Sequence, residues 1–336
     1  MRYIKDGCGY KAIFDEKTGY TIRTGKNGED PFWKANGPEL LDVSITNYCE
    51  KGCDFCYRES DKNGRHMNLD LYERILKSAK SAGVFQIALG GGNPNQHPQF
   101  IDILRMTREY GIVPSYTTNG QGMTTDIYGA TKKYGGALAV SWYYPYDEAK
   151  KVIENSSMFG IPINIHFVID SDNMNEAREL LKEKCLDFVN AIIFLNYKPV
   201  GNKKRHVIKK EREISELIEE LLQFDRCQIG FDSCMISHLV EKKDTINFCS
   251  IDYCEAGRFS AFISETGEMY PCSFMCGAKM KGISVWDEDI ADIWRKSQSF
   301  IDIRHDILKP RKLKCTKCGM YNQCHGGCPV FEINCL

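Results

Sequence analysis

Between residues 39 and 222 the chain switches again and again from short β-branched runs to helical apolar spacing, and no other feature restricts its fold as much. The runs Leu41-Asp42-Val43-Ser44-Ile45, Val84 to Leu89, Val113 to Thr118, Leu138 to Ser141, Ile163 to Val168 and Ala191 to Leu195 read as strands. Helical patterns lie at Leu71 to Ala79, from Phe100, at Asp147 to Asn155, Met174 to Lys184 and Ile214 to Leu222. Six strands joined through helices imply a parallel sheet with helices on at least one face. Periodicity does not choose between an open sheet and a curved partial barrel. Before this region, Tyr10 to Phe14 and Tyr20 to Arg23 flank a turn at Lys17-Thr18-Gly19 and predict a hairpin. After about residue 235 thiols become dense and helices scarce, with a second hairpin expected from Phe259 to Ile263 and Glu268 to Pro271. Such a region is expected to be held by metal more than by an apolar core. The expected division is 1–38, 39–235 and 236–336.

Sixteen cysteines in 336 residues need an explanation. No run approaches the roughly 20 apolar residues that span a bilayer, and the N-terminus carries no apolar signal core, so a cytoplasmic location is expected. A reducing compartment disfavours disulfides and points the thiols to iron or zinc. A net charge of −1 provides no field for nucleic acid or an anionic membrane. The one basic run, Lys203 to His206 with Lys209-Lys210, is either a solvated connection or a docking surface for an acidic peptide.

Cys49, Cys53 and Cys56 follow the first of the six strands within eight residues. Three thiolates wrap one side of a four-iron cube and leave its fourth iron free for a chelating ligand with amino and carboxylate groups. Gly52 lets the loop turn, and Phe55 shields one face. A zinc site is the alternative, but closed zinc sites draw four ligands and no further Cys or His lies near enough to complete this one.

This C-x3-C-x2-C spacing, with an aromatic residue before its last cysteine, resembles the signature of radical S-adenosylmethionine (SAM) enzymes. The resemblance implies that Gly90-Gly91-Gly92-Asn93, at the end of the second strand, receives the methionine amino group of the cofactor, with Asn93 where the family often has Glu. It also implies that Asn119 and Ser141 line the ribose and carboxylate. His166 and Asn196 sit within and after later strands and face the same cavity or the core, and Asn196 to Gly201 fits the loop near adenine.

Near the C-terminus stand Cys249, Cys254, Cys272, Cys315, Cys318, Cys324, Cys328 and Cys335. Eight thiols match two fully ligated 4Fe-4S clusters, and two zinc knuckles satisfy the same count. The arrangement resembles the SPASM extension of radical SAM enzymes. That resemblance implies Cys249, Cys254, Cys272 and Cys328 for an inner auxiliary cluster and Cys315, Cys318, Cys324 and Cys335 for an outer one. Cys276 is a substitute ligand by its closeness to Cys272, Cys185 a core residue, and Cys234 a catalytic hydrogen-atom donor if it reaches the cavity.

The expected fold is therefore α/β: a partial (β/α)6 barrel with an N-terminal hairpin and a C-terminal cysteine-rich auxiliary-cluster domain. The expected cofactors are three 4Fe-4S clusters and S-adenosylmethionine, cleaved by one electron to a 5′-deoxyadenosyl radical that the protein aims. Enzymes resembling this chain mature ribosomally made peptides by crosslinking or epimerisation, and a precursor peptide is the expected substrate. The expected partner is a flavodoxin- or ferredoxin-type electron donor, and the leader is expected to meet either the barrel surface or a separate leader-binding protein, because forty N-terminal residues are too few for a recognition domain. Sulfatase maturases share the architecture, but there an Asp commonly follows the cysteine that ends the hairpin, where this chain has Ser273. A small-molecule dehydrogenase or mutase, and a non-catalytic metal-binding or electron-transfer scaffold, are the other readings.

Overall fold

The structure, a computed structural model, describes residues 1–6, 9–202, 204–209, 211–247, 251–331 and 333. The N-terminal piece is a three-stranded antiparallel sheet, β1 (Arg2–Lys5), β2 (Lys11–Phe14) and β3 (Thr21–Thr24). β2 and β3 are the expected hairpin, and β1 adds a strand to it.

The main sheet begins with β4 (Leu40–Thr46), β5 (Gln86–Gly91), β6 (Val113–Thr118), β7 (Leu138–Ser141), β8 (Ile163–Ile169) and β9 (Ala191–Asn196). These six pair in sequence order, all parallel. The connecting helices are α1 (Leu69–Ser81), α2 (Phe100–Glu109), α3 (Thr125–Tyr134), α4 (Asp147–Phe159) and α5 (Met174–Leu180), with α6 (Glu211–Leu222) after β9. α1 is capped by Asn68, whose side chain accepts from the Leu71 amide at 2.8 Å. α3 escapes the sequence reading because Gly129 and two lysines interrupt its apolar stripe.

Alternation within each strand sorts its side chains between two environments. In β8, Ile163, Ile165, Phe167 and Ile169 are buried in the main core, while His166 and Val168 point to the other side and line a cavity. In β4, Leu41, Val43 and Ile45 belong to the same core and Asp42 faces the cavity.

The sheet is larger than six strands. β10 (Gln228–Phe231) pairs parallel to β9 at one edge. At the other edge β11 (Ser260–Ile263) pairs parallel to β4, and β12 (Glu268–Tyr270) and β13 (Ile283–Ser284) follow antiparallel. The strand order is thus β10-β9-β8-β7-β6-β5-β4-β11-β12-β13. β11 and β12 form the expected second hairpin.

The expectation of a helix-poor, coreless C-terminal region is corrected by helices Ile290–Lys296 and Gln298–Ile307. Their spacing places Ile290, Ile293, Trp294 and Phe300 in the main core. Trp294 is fully buried and donates its indole N–H to the Lys34 carbonyl at 2.8 Å.

The N-terminal sheet packs Tyr10, Ala12 and Phe14 against Phe85, Val113 and Phe259. Phe85 and Phe259 directly precede β5 and β11 and Val113 opens β6, so this sheet covers the end of the barrel at which those strands begin. Among the described residues no helix is long and apolar enough to cross a membrane.

Trp294 carries both a large buried surface and a buried hydrogen bond. Trp294→Ala is expected to cost about 3–5 kcal/mol, read as a lowered urea midpoint, with Trp294→Phe losing less because most of the packing is retained.

Candidate active site

Strands that all run in one direction deliver their C-terminal ends to one edge, where ligands of parallel sheets bind. A cavity of about 440 Å³ opens there, within the size range of ligand pockets. One part of its wall is the loop after β4, with Cys49, Cys53, Phe55, Cys56 and Tyr57. Gly90, Gly91 and Gly92 form a ledge beside it, Asn119, Ser141 and Asn196 continue the ring of strand ends, and His166 faces the cavity from within β8.

Backbone contacts hold the ledge and the cysteine loop together. The Gly92 amide donates to the Thr46 carbonyl at 2.7 Å, and the Asn93 amide to the Tyr48 carbonyl at 3.0 Å. Gly91 has φ +112°, and a Cβ there would sit 1.9 Å from the Thr46 oxygen. Only glycine satisfies both conditions. Gly90 differs, because nothing lies within 4 Å of the position its Cβ would take. In the cysteine loop Gly52 has φ +58°, the left-handed turn that the sequence implied.

Asn93 does not line the cavity. Its Oδ1 accepts from Thr118 Oγ1 at 3.2 Å and from the Asn119 amide at 3.1 Å, and its Nδ2 donates to the Gln121 carbonyl at 2.9 Å. It therefore ties the end of β5 to the end of β6 and fixes Asn119, whose Nδ2 donates to Cys49 Sγ at 3.4 Å.

Burial pushes His166 down to about 4, so it presents a neutral imidazole, with Nδ1 3.2 Å from Thr117 Oγ1. Asn196 uses its Nδ2 on the Cys234 carbonyl at 3.1 Å, while its Oδ1 is buried without a partner. An orphaned acceptor on the wall, a glycine ledge and three thiols suit a polar ligand held at a metal cluster, which is the group the sequence implied.

Cys234 does not reach the cavity wall. It lies in the short helical turn Ser233–Met235, and its electrostatic neighbours include Lys198, Asp232, Cys328 and Cys254. Cys254 in turn has Cys328 and Cys272 beside it, whereas Cys324 has Cys315 and Cys318. Cys328 thus stands with the earlier cysteines, apart from the run in which it is written. Cys249, Cys335 and Cys8 lie outside the described residues. Cys276 accepts from Arg58 at 2.6 Å and stands near Tyr270 and Glu265. Cys185 packs against the main core, as expected. Among the described residues no three His, Cys, Asp or Glu side chains converge on one metal ion.

Several residues on or beside the cavity wall escaped the sequence reading. Lys198 is 3% exposed, donates to Asp232 Oδ2 at 3.0 Å and to the Asn196 carbonyl at 2.9 Å, and lies 4.3 Å from the centre of the Phe274 ring. Burial opposes its charge, but Asp232 outweighs this and keeps it protonated. Arg58 Nη2 pairs with Glu265 at 2.5 Å, linking the cysteine loop to the β11–β12 turn. Arg205, from the basic run, lies 3.7 Å from the centre of the Phe55 ring and pairs with Asp170 at 2.9 Å, so this part of the run serves the site's own structure. Lys203 and Lys210 lie outside the described residues. Asp42 interrupts an apolar strand, a signal in the sequence that it faces a polar space.

Two family profiles match the chain: the radical SAM superfamily over residues 43–183, and the SPASM iron-sulfur cluster-binding domain over residues 254–325. The chain is 22% identical over 322 residues to mycofactocin maturase MftC of Mycolicibacterium smegmatis, covering 89% of this chain and 80% of that protein. It is 22% identical over 325 residues to the PqqA peptide cyclase of Methylobacterium nodulans, covering 87% and 81%. Its fold is similar to that of Streptococcus suis SuiB bound to precursor peptide SuiA, with a TM-score of 0.73, 20% identity, and coverage of 87% of this chain and 72% of that one.

The two ledge glycines are expected to respond differently to a methyl group. Gly91→Ala meets the Thr46 backbone and is expected to cost about 1–3 kcal/mol, read as a lower melting temperature. Gly90→Ala is expected to melt like the wild type but to bind S-adenosylmethionine more weakly in equilibrium dialysis, because its methyl group enters open space beside the ledge.

Proposed function

This chain belongs to the radical SAM superfamily and carries a C-terminal SPASM domain, and on that premise we propose that it matures a ribosomally made peptide by closing a crosslink within it. Cys49, Cys53 and Cys56 would hold one 4Fe-4S cluster, with S-adenosylmethionine at its open iron against Gly90 to Gly92. Asn119, Ser141, His166 and Asn196 would surround the rest of the cofactor. Cys254, Cys272 and Cys328 with Cys249, and Cys315, Cys318 and Cys324 with Cys335, would hold two auxiliary clusters. When bound, these groups supply one-electron cleavage of the sulfonium and a radical able to take hydrogen from an unactivated carbon.

The observation that carries this reading is that one cavity adjoins both cysteine arrays. The β4 loop thiols line it, and so do Ser273 and Phe274, the residues next to Cys272. Hydrogen abstraction and electron removal can thus act on one substrate. Crosslinking is favoured over epimerisation by the position of Cys234. Among the described residues, the thiols on the wall are those of the β4 loop, already committed as ligands, so none is left to return a hydrogen atom. The peptide substrate is supported by two relatives, one named a PqqA peptide cyclase and one solved with its precursor peptide. A flavodoxin- or ferredoxin-type protein would supply the electron, and a separate protein or the barrel surface would bind the leader.

The test is anaerobic incubation of the reconstituted enzyme with S-adenosylmethionine, a reductant and any short peptide found encoded near its gene. Deoxyadenosine and a peptide lighter by two hydrogens are expected. Deoxyadenosine with no change in any such peptide would remove the peptide reading. Absence of deoxyadenosine from an iron-loaded enzyme would remove the radical chemistry.

A further inference from the structure

One carboxyl group faces the cavity without a protein partner among the described residues. Asp42 is the third residue of β4, and its neighbours in register are Ala88 on β5 and Phe262 on β11. Neither can donate a hydrogen bond from its side chain or offset a charge. Although β4 lies inside the sheet, Asp42 retains accessible surface, and that surface opens into the cavity. Burial alone pushes its carboxyl up to about 6, with no hydrogen bond or counter-charge acting against it. A protein has little reason to bury a bare carboxyl group on a central strand unless something that binds there uses it.

Its position is as informative as its isolation. Ser44 pairs with Gly90, so Asp42 lies two residues, roughly 6–7 Å, deeper in the barrel than that point of the ledge. On its other side it acts electrostatically on Tyr57 and on Cys272. Among the described residues, these are the titratable groups that its charge perturbs. Asp42 thus stands between the ledge and the Cys254, Cys272 and Cys328 group, where a substrate residue would lie.

We infer that Asp42 is the proton acceptor of bond closure, a role that rests on the crosslinking reading. In that step a substrate C–H bond and an X–H bond break and a C–X bond forms, X being sulfur or carbon of a second side chain. The hydrogen atom goes to the deoxyadenosyl carbon, one electron goes to an iron-sulfur centre, and the proton of X–H goes to Asp42. A carboxylate suits this task because it accepts the proton without being oxidised, and it can pass the proton to water once product leaves.

The test compares wild-type holoenzyme with Asp42→Asn and Asp42→Glu, measuring crosslinked peptide and deoxyadenosine in the same samples. Crosslink formed per deoxyadenosine is expected to fall about 100-fold in Asp42→Asn and to recover in part in Asp42→Glu. In the wild type this ratio should drop as the pH is lowered through about 6, where Asp42 takes up a proton, and the drop should be absent from Asp42→Asn. A wild-type ratio in an iron-loaded Asp42→Asn enzyme overturns the assignment. If the wild type makes deoxyadenosine but alters no peptide, the peptide reading fails by itself, and infrared difference spectra then decide on Asp42. A carboxyl band that titrates near that pH and vanishes in Asp42→Asn supports a free acceptor in the cavity, and its absence overturns one.

Discussion

The backbone contact between the end of β5 and the start of the cysteine loop sets the positions of nearly everything else in the site. Gly91 and Gly92 lie against Thr46 and Tyr48 too closely for any side chain, so ledge and loop are one rigid corner. From this corner Asn93 reaches to the end of β6 and fixes Asn119. Asn119 then returns to Cys49. A ring of short polar contacts thereby fixes the thiol-bearing loop from several sides, as a preorganised site requires. The Asn202 side chain and the Asn202 amide close the ring by donating to the carbonyls of Cys53 and Cys56.

The sheet provides this corner through two simple regularities. Parallel strands end at one edge, and alternate residues face opposite sides. Core-facing positions of β4 and β8 are apolar because helices cover them. The cavity-facing positions are free to carry Asp42 and His166, whose burial shifts both towards their neutral forms. Lys198 is the exception. It remains charged because Asp232 is within hydrogen-bonding reach, which leaves a fixed ion pair at the edge of a cavity otherwise short of charge.

Much of this was legible in the sequence because the signals were local. The three cysteines of the β4 loop, the glycines that end β5 and the six strand–helix repeats each occupy a short window. What escaped depends on distant contacts. Nothing near residue 260 shows that β11 joins β4, and nothing near Arg58 shows that Glu265 meets it. The place of Asn93 after the glycines implies a cofactor contact by resemblance, but its amide is taken up by the end of β6 and the loop that follows. The place of Cys234 after the last strand leaves open whether it reaches the cavity, and a helical turn sets it near Cys254 and Cys328.

The pairing of β11 with β4 also bears on how freely the two cysteine-bearing regions can be exchanged. A fragment ending before the second hairpin would leave β4 with one bare edge, offering unpaired amides and carbonyls to other chains. It would also strip Arg58 of its carboxylate partner. The C-terminal region therefore behaves less like an appended module than like the missing side of the barrel, and chimaeras that graft it from one relative to another must match the strand it completes.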